Sequence, residues 1–147
     1  MNDEATRKLA AILAELDEME SPPPAPAPDE DIAAAQDWFQ QHYPGTLPTD
    51  LVDFWRRFNG LGYDGVVIYA ARSTQDWLDD VEGINQLYVD DQPDHFLVGQ
   101  SDDVYFYAWR PSSQVYERLG VGDFDGEVET FTTFEDLFNL VFGERLD

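Results

Sequence analysis

The sequence predicts an α+β fold: a central antiparallel or mixed twisted sheet of about four to six strands, packed by several helices. The first observation is the order of the patterns. Helical spacing of apolar residues dominates the first half and the C-terminal end, while segments typical of strands lie mostly between them. The second observation is length, because 147 residues is about one domain and is enough to bury a core without disulfides.

The N-terminal part is predicted to be an amphipathic helix, residues 1–21, in which apolar side chains form one stripe with charges opposite. Five of the seven residues 22–28 are proline, so this segment cannot continue the helix and favours an extended spacer. The main domain is then expected at residues 29–147. The apolar stripe predicts that the helix packs on its own domain, and self-association or docking on a partner is the alternative.

The main domain is predicted to contain four helices and five strands. The helices are expected at residues 29–41, 49–59, 73–89 and 134–142, the third because Trp77, Val81, Ile84 and Tyr88 form one helical face. The strands are expected at residues 65–70, 96–99, 103–109, 114–119 and 128–131. Thr49 and Thr133 are the predicted N-caps of two helices, and Gly143 is predicted to end the last one.

One pattern is a short aromatic helix preceded by Leu47-Pro48, ended by Asn59-Gly60 and followed by the strand Val66-Val67-Ile68-Tyr69. Together with the strands that begin at His95 and Asp103, and a closing helix that begins Thr133-Phe134-Glu135-Asp136, it resembles the SMI1/KNR4 superfamily, also called SUKH, over residues 30–143. The resemblance implies a function in protein binding. Many bacterial members are immunity proteins that bind and neutralise polymorphic toxins, often nucleases, and others are cell-wall signalling or adaptor proteins.

The charge is strongly negative, with 31 acidic and 8 basic residues and a net charge of −23. Nucleic acid and anionic membranes are therefore not expected as partners, since both require a positive surface. The charge points either to solubility alone or to a basic partner. It is uneven: residues 48–72 are neutral, whereas residues 73–147 hold 18 acids and 3 bases. No signal peptide or membrane span is recognisable, so a cytoplasmic location is predicted.

No residue pattern indicates catalysis, so the protein is predicted not to be an enzyme and to need no metal or cofactor. The two histidines, His42 and His95, are far apart in sequence, and His95 is interpreted as structural. Residues 123–129 hold several acids without the spacing of a calcium loop and are interpreted as a turn. Neighbouring acids such as Asp90 and Asp91 leave one alternative, a hydrolase with paired carboxylates, which requires an apolar pocket around one of them.

The predicted partner-binding residues are carboxylates in loops beside the strands, with aromatic side chains as anchors. They are Asp79, Asp80, Glu82, Asp90, Asp91, Asp94, Asp102, Asp103, Tyr105, Tyr107, Trp109, Asp123 and Asp125. Core packing is the alternative for at least half of the aromatic residues, because strand alternation sends one set inward. The predicted function is an immunity protein, a monomer or weak dimer that neutralises a cognate toxin with a basic surface. A regulatory adaptor of the SMI1/KNR4 type is the alternative.

Overall fold

The computed structural model describes residues 3–73, 78–102, 104–124, 126 and 128–146. Within these ranges the fold is α+β, as predicted from the sequence. The helices are α1 (Asp3–Glu18), α2 (Asp29–His42), α3 (Thr49–Arg57), α4 (Val81–Asn85) and α5 (Phe134–Leu146). The strands are β1 (Leu61–Tyr63), β2 (Val66–Ile68), β3 (Phe96–Ser101), β4 (Tyr105–Arg110), β5 (Val115–Gly120) and β6 (Glu129–Phe131).

The six strands form one open sheet in the order β1-β2-β3-β4-β5-β6, and every neighbouring pair is antiparallel. Each strand therefore lies beside the next one in the sequence, which short connections can join. The exception is the connection from β2 to β3, residues 69–95, which includes α4. The turn between β1 and β2 is Asp64-Gly65, where both residues have positive φ, 48° and 82°. Such a two-residue turn matches the twist of a hairpin and favours aspartate followed by glycine.

The two faces of the sheet are covered by different parts of the chain. On one face, the Tyr116 ring of β5 contacts the Phe134 ring of α5, with 5.9 Å between centroids. On the other face, the Phe106 ring of β4 contacts Tyr88, which follows α4, at 5.5 Å. α3 packs beside α5 on the first face, and its buried Trp55 donates its ring N–H to the carbonyl of Tyr69 over 2.9 Å.

The N-terminal helix packs on its own domain. Leu9, Ile12 and Leu16 of α1 are buried, and α1 lies against α5. Burial of these side chains contributes on the order of 2 kcal/mol each to stability. The proline-rich segment also lies on the domain, because the Ala27 N–H donates to the carbonyl of Trp55 over 2.8 Å. The first helix is therefore held against the core instead of being separated from it.

The helix predicted over residues 73–89 is wrong in its bounds, and residues 74–77, with Trp77, lie outside the described residues. The helix found is α4, which has five residues. The chain before it pairs with Ala70, whose N–H donates to the carbonyl of Asp79 over 2.9 Å. Asp80 then caps α4 by accepting the Gly83 N–H over 2.8 Å. The longer helix would require giving up both of these interactions.

Two local predictions also differ from the structure, and one strand was missed. Thr49 is the first helical residue of α3, and Pro48 takes the N-cap position without a side-chain hydrogen bond. Gly143 lies inside α5, where a Cβ would come within 3.0 Å of Cε of Lys8, so the glycine permits close approach of α1. β1 was not predicted because it has only three residues.

No helix among the described residues is long and apolar enough to cross a membrane.

Candidate functional site

A groove of about 240 Å³ opens on the face of the sheet opposite α3 and α5. We call it the sheet groove. Its lining is mostly apolar and comes from three parts of the chain: the end of α4 with the residues after it, β3–β4, and the end of β5. The lining residues are Ile84, Leu87, Tyr88, Gln100, Phe106 and Val121.

The floor of the sheet groove is fixed by aromatic packing. Phe106 is 7% exposed and lies edge-on to both Tyr88 and Phe124, with ring centroids 5.5 and 5.9 Å away. Tyr88 and Phe124 also stack on each other at 6.0 Å. Aromatic pairs in these arrangements contribute about 0.5–1.5 kcal/mol each beyond the area that they bury. The groove is therefore preformed, because its floor does not depend on a bound partner.

Apolar side chains stand exposed around this floor. Leu87 is 69% exposed, Val104 is 55% exposed and Val121 is 42% exposed. Val104 and Val121 lie side by side, because the Val121 N–H donates to the carbonyl of Val104 over 3.0 Å. Single exposed apolar residues are ordinary on protein surfaces, but a group beside an apolar groove is typical of an interaction site.

Exposed carboxylates lie on the same segments as this groove. Besides Asp102, which pairs with Arg145, five of the predicted interface acids are exposed: Asp79, Glu82, Asp90, Asp91 and Asp123. They lie before, within and after α4, and in the turn after β5. The sheet groove itself has an apolar lining without acids, and the exposed acids lie on the segments that lead to and from it, a combination that suits a basic partner with an apolar side chain.

Three other predicted interface acids hold partners within the chain. Asp80 caps α4, and its second oxygen accepts the Ser73 N–H over 3.1 Å. Asp94 accepts a hydrogen bond from Nε of Arg110 over 2.9 Å, and Asp102 forms an ion pair with Arg145. These carboxylates therefore have structural functions that the sequence pattern did not distinguish.

The three predicted aromatic anchors have different environments. Tyr107 is 2% exposed and belongs to the core, so we remove it from the candidate interface. Trp109 is half-buried and lies edge-on to Tyr116, with 5.0 Å between ring centroids. Tyr105 is 38% exposed, and the guanidinium carbon of Arg118 lies 4.6 Å from its ring centroid. Core packing therefore accounts for Tyr107 and partly for Trp109, and only Tyr105 stays accessible.

Asp103 and Asp125 lie outside the described residues.

Sequence reasoning did not find Leu87, Val104 and Val121 as surface residues. Leu87 carried a usable signal, because it lies off the stripe that Val81, Ile84 and Tyr88 form. A large aliphatic residue off the buried stripe of an amphipathic segment is expected to be exposed, although the sequence alone does not show that it lies beside Val121 in one groove.

The basic residues of the C-terminal half are all used within the chain. Arg110, Arg118 and Arg145 are the only bases in residues 73–147. Arg110 pairs with Asp94 and Glu117, Arg118 pairs with Glu129, and Arg145 pairs with Asp102. Because these three arginines pair with other acids, they do not neutralise the negative charge of the exposed acids on the segments that form the sheet groove.

His95 is buried between the sheet and the loop after β5, and its ring lies edge-on to Phe124 at 5.4 Å. Its Nε2 lies 3.4 Å from Oε1 of Glu117, a side chain that is only 2% exposed. Neither residue lines the sheet groove. This position gives His95 no access to a substrate there, which agrees with a structural function.

The Asp94 ion pair gives a prediction for pH dependence. Burial acts to raise the pKa of Asp94, but hydrogen bonds from Ser112 and Arg110 outweigh it and hold the pKa below the usual carboxyl value. The unfolded chain therefore binds this proton first as pH falls. The stability that Asp94 contributes is complete above the ordinary value of 3.8 and disappears below it, as pH falls through the lowered native pKa.

The measurement is urea unfolding of the natural chain and of Asp94→Asn from neutral pH down to acid. The difference in free energy of unfolding between the two should be constant above the ordinary carboxyl pKa and shrink below it. Asp90→Asn, at an exposed carboxylate, serves as the control. A difference between the natural chain and Asp94→Asn that stays constant down to the lowest pH would contradict the prediction.

The arrangement of the site suits binding more than hydrolysis. Asp90 and Asp91 are both exposed, whereas paired catalytic acids need one member in apolar surroundings. Within the described ranges, no three histidine, aspartate or glutamate side chains are grouped so that they could hold a metal ion. Comparison with models of protein families and with curated proteins gives no match.

Proposed function

We propose that this chain is an immunity protein that binds and neutralises a cognate bacterial toxin, through the apolar sheet groove and the acids around it. The observation that carries the proposal is the exposed apolar cluster of Leu87, Val104 and Val121 beside the sheet groove and its exposed acids. Such a surface fits a partner that presents an apolar side chain among lysines and arginines. The resemblance to the SMI1/KNR4 superfamily supports a toxin as that partner.

The toxin that fits best is a nuclease or another enzyme with a basic surface. A nuclease carries positive charge to bind phosphates, so a protein with a net charge of −23 is attracted to it over a distance. Electrostatic attraction of this kind raises the association rate and weakens with salt. The apolar centre, which is less sensitive to salt, supplies contacts that slow dissociation.

An adaptor that acts through a detached N-terminal helix is less well supported. Leu9, Ile12 and Leu16 of α1 are buried against the domain, so this helix has no free apolar stripe for a partner. An adaptor that used the sheet groove would need the same surface as an immunity protein. Its partner would be a housekeeping protein, and removal of that partner would not expose the cell to a toxin.

The test uses the toxin domain whose gene adjoins the gene of this chain. The purified chain is expected to bind that domain, inhibit its activity, and restore growth of cells that express it. The affinity should fall at least about tenfold from low to high salt, because salt screens exposed charges. Lack of both binding and protection would overturn the proposal.

Leu87→Lys is the variant that tests the surface. It places a positive charge at the apolar centre and is expected to weaken toxin binding about 30-fold, or about 2 kcal/mol. Because Leu87 is 69% exposed, the free energy of unfolding should barely change. Affinity is measured by titration calorimetry with the toxin domain.

Ala10→Lys is the matched control, because Ala10 is exposed on α1 and lies outside the sheet groove. It makes the same exchange of an apolar side chain for a cation and should leave toxin affinity unchanged. Equal losses in the two variants would show that added positive charge is responsible wherever it is placed. A loss in Ala10→Lys alone would place the toxin on another surface.

A further inference from the structure

A second and larger groove, of about 650 Å³, lies beside the first strand of the sheet. We call it the edge groove. Its walls are the C-terminal end of α1, residues 21–24 and the β1–β2 hairpin. The volume is within the range of about 300–1,000 Å³ that is usual for ligand sites. The sheet groove shares none of its lining residues with the edge groove.

The edge groove runs along a free strand edge. β1 is the first strand in the sheet order and pairs only with β2. In a hairpin with a two-residue turn, the pair next to the turn, Tyr63 and Val66, exchanges both of its hydrogen bonds. The next pair, Gly62 and Val67, then makes none, because such pairs alternate. The N–H and C=O of Gly62 consequently point away from β2.

The proline-rich segment lines the edge groove together with this strand edge. It contributes Pro22, Pro23 and Pro24, and proline has a carbonyl that can accept a hydrogen bond but no N–H to donate to the carbonyl of Gly62. Proteins protect exposed strand edges with lysine, proline, an irregular strand, a covering loop or a very short strand. The three-residue length of β1 limits what can pair with it, but its sequence, Leu61-Gly62-Tyr63, contains neither lysine nor proline. The edge thus presents one donor and one acceptor to a groove that is open.

The charge around the edge groove is negative. Glu15 and Asp64 line it, and its lining includes no basic residue. α1 has no basic residue in its last turn and instead ends with Asp17 and Glu18, at the end of the helix where the dipole is already negative. A cation bound here would relieve this repulsion.

Glu15 is oriented by the sheet, because its carboxylate accepts the hydroxyl of Tyr63. This hydrogen bond, more than burial, raises the pKa of Tyr63 to about 12, so the hydroxyl stays protonated. The Glu15 side chain is therefore held beside β1 by this hydrogen bond.

We propose that the edge groove binds an extended, positively charged segment of a partner protein, which pairs with Gly62 as an additional strand. Strand addition is a common form of peptide recognition, in which backbone hydrogen bonds give affinity and side chains give specificity. β1 is three residues long, so it guides roughly 10 Å of the partner chain. A second copy of this chain is a poor occupant, because each copy has a net charge of −23. The proposal is independent of the toxin.

The test uses the full chain and a labelled peptide of seven alternating lysine and valine residues. Fluorescence anisotropy should show binding of this peptide and none of its counterpart with glutamate in place of lysine. A lysine–valine peptide with methylated backbone nitrogens keeps the charge but cannot donate hydrogen bonds, and it should bind at least tenfold more weakly. In NMR spectra, the Gly62 amide should shift and exchange more slowly when the unmodified peptide binds.

Two variants complete the experiment. Gly62→Pro removes the outward N–H, a change that an edge strand tolerates, and should weaken peptide binding at least tenfold. Asp64→Asn keeps the turn, because asparagine also adopts positive φ, and should weaken binding about threefold through loss of charge. Asp37→Asn, on the exposed side of α2, is the matched control and should have no effect.

Equal binding of the methylated and unmodified peptides, or an unchanged Gly62 amide, would overturn the proposal by showing attraction through charge alone. Dimerisation of the chain through Gly62 without peptide would overturn it as well, because the occupant would be a second copy. The NMR result does not depend on the variants, so it decides the question even if Gly62→Pro fails to fold.

Discussion

Replacing Asn85 with leucine is expected to lower the free energy of unfolding by about 4 kcal/mol, because buried backbone groups lose their partners. Asn85 is fully buried. Its side-chain nitrogen donates to the carbonyls of Leu97 and Val81 over 2.9 and 2.8 Å, and its oxygen accepts the Leu97 N–H over 2.7 Å. The hydrogen bonds between β2 and β3 end with the Tyr69 N–H, which donates to the carbonyl of Val98 over 2.9 Å, so the amide of Asn85 takes the place of a neighbouring strand beside Leu97.

The measurement is urea unfolding, with hydrogen exchange of the Leu97 amide as a local readout. Gln86→Leu is the control, since Gln86 is the exposed C-cap of α4 and its replacement should change stability by less than about 0.5 kcal/mol. Asn85→Asp should also be destabilising, because it keeps the acceptor for Leu97 but loses both donors. Full stability of Asn85→Leu, with Leu97 still protected, would contradict this assignment.

Asn85 also connects the fold with the sheet groove. Leu87 and Tyr88, which line the groove, follow Asn85 after the end of α4. The Asn85 side chain fixes this segment to β3, and the aromatic packing of Tyr88 on Phe106 fixes it to β4. A variant that loosens Asn85 should therefore weaken binding in the groove as well as stability, whereas Leu87→Lys should affect binding alone.

Local patterns were sufficient to predict some elements of the fold. α2 and α3 are found within one or two residues of their predicted bounds, because acids fill the first turn of α2 and Pro48 precedes α3. The bounds of α4 could not be predicted from helical spacing. Asp80 pairs with Ala70 as in a strand directly before α4, so the helix cannot begin earlier, and this contact depends on the tertiary structure. For β1, the signal in the sequence is the Asp64-Gly65 turn that follows it. Three residues are too few to show the alternation of buried and exposed side chains that is typical of a strand.

The candidate site was predictable in its chemistry but not in its details. The sequence places many acids in loops beside the strands, and Glu82, Asp90 and Asp91 are indeed exposed. It does not reveal which acids are neutralised, because Arg145 reaches Asp102 across 43 positions of sequence. Such pairs depend on the tertiary structure.

Replacing Asp50 with asparagine is expected to lower the free energy of unfolding by about 3 kcal/mol, since Asp50 is half-buried and a charged acceptor is worth more than a neutral one. The Asp50 carboxylate accepts the Leu51 N–H over 2.9 Å, the Tyr116 hydroxyl over 2.7 Å and the Phe134 N–H over 2.8 Å. It joins α3, β5 and the first residue of α5, and its negative charge lies near the N-terminal ends of both helices, where the dipole favours it. Burial raises the pKa of Tyr116 well above its usual value, and the charge of Asp50 raises it further.

Asparagine has one oxygen in place of two, and its NH₂ group would meet an N–H or O–H that also donates. Asp53→Asn is the matched control, because Asp53 lies on the same helix, is exposed and pairs only with Arg56 at 3.5 Å among the described contacts, so its loss should cost less than about 0.5 kcal/mol. A double-mutant cycle with Tyr116→Phe should give a coupling of about 1 kcal/mol between Asp50 and the hydroxyl. If Asp50→Asn and Asp53→Asn were equally stable in urea, and the coupling were zero, Asp50 would not join these three elements.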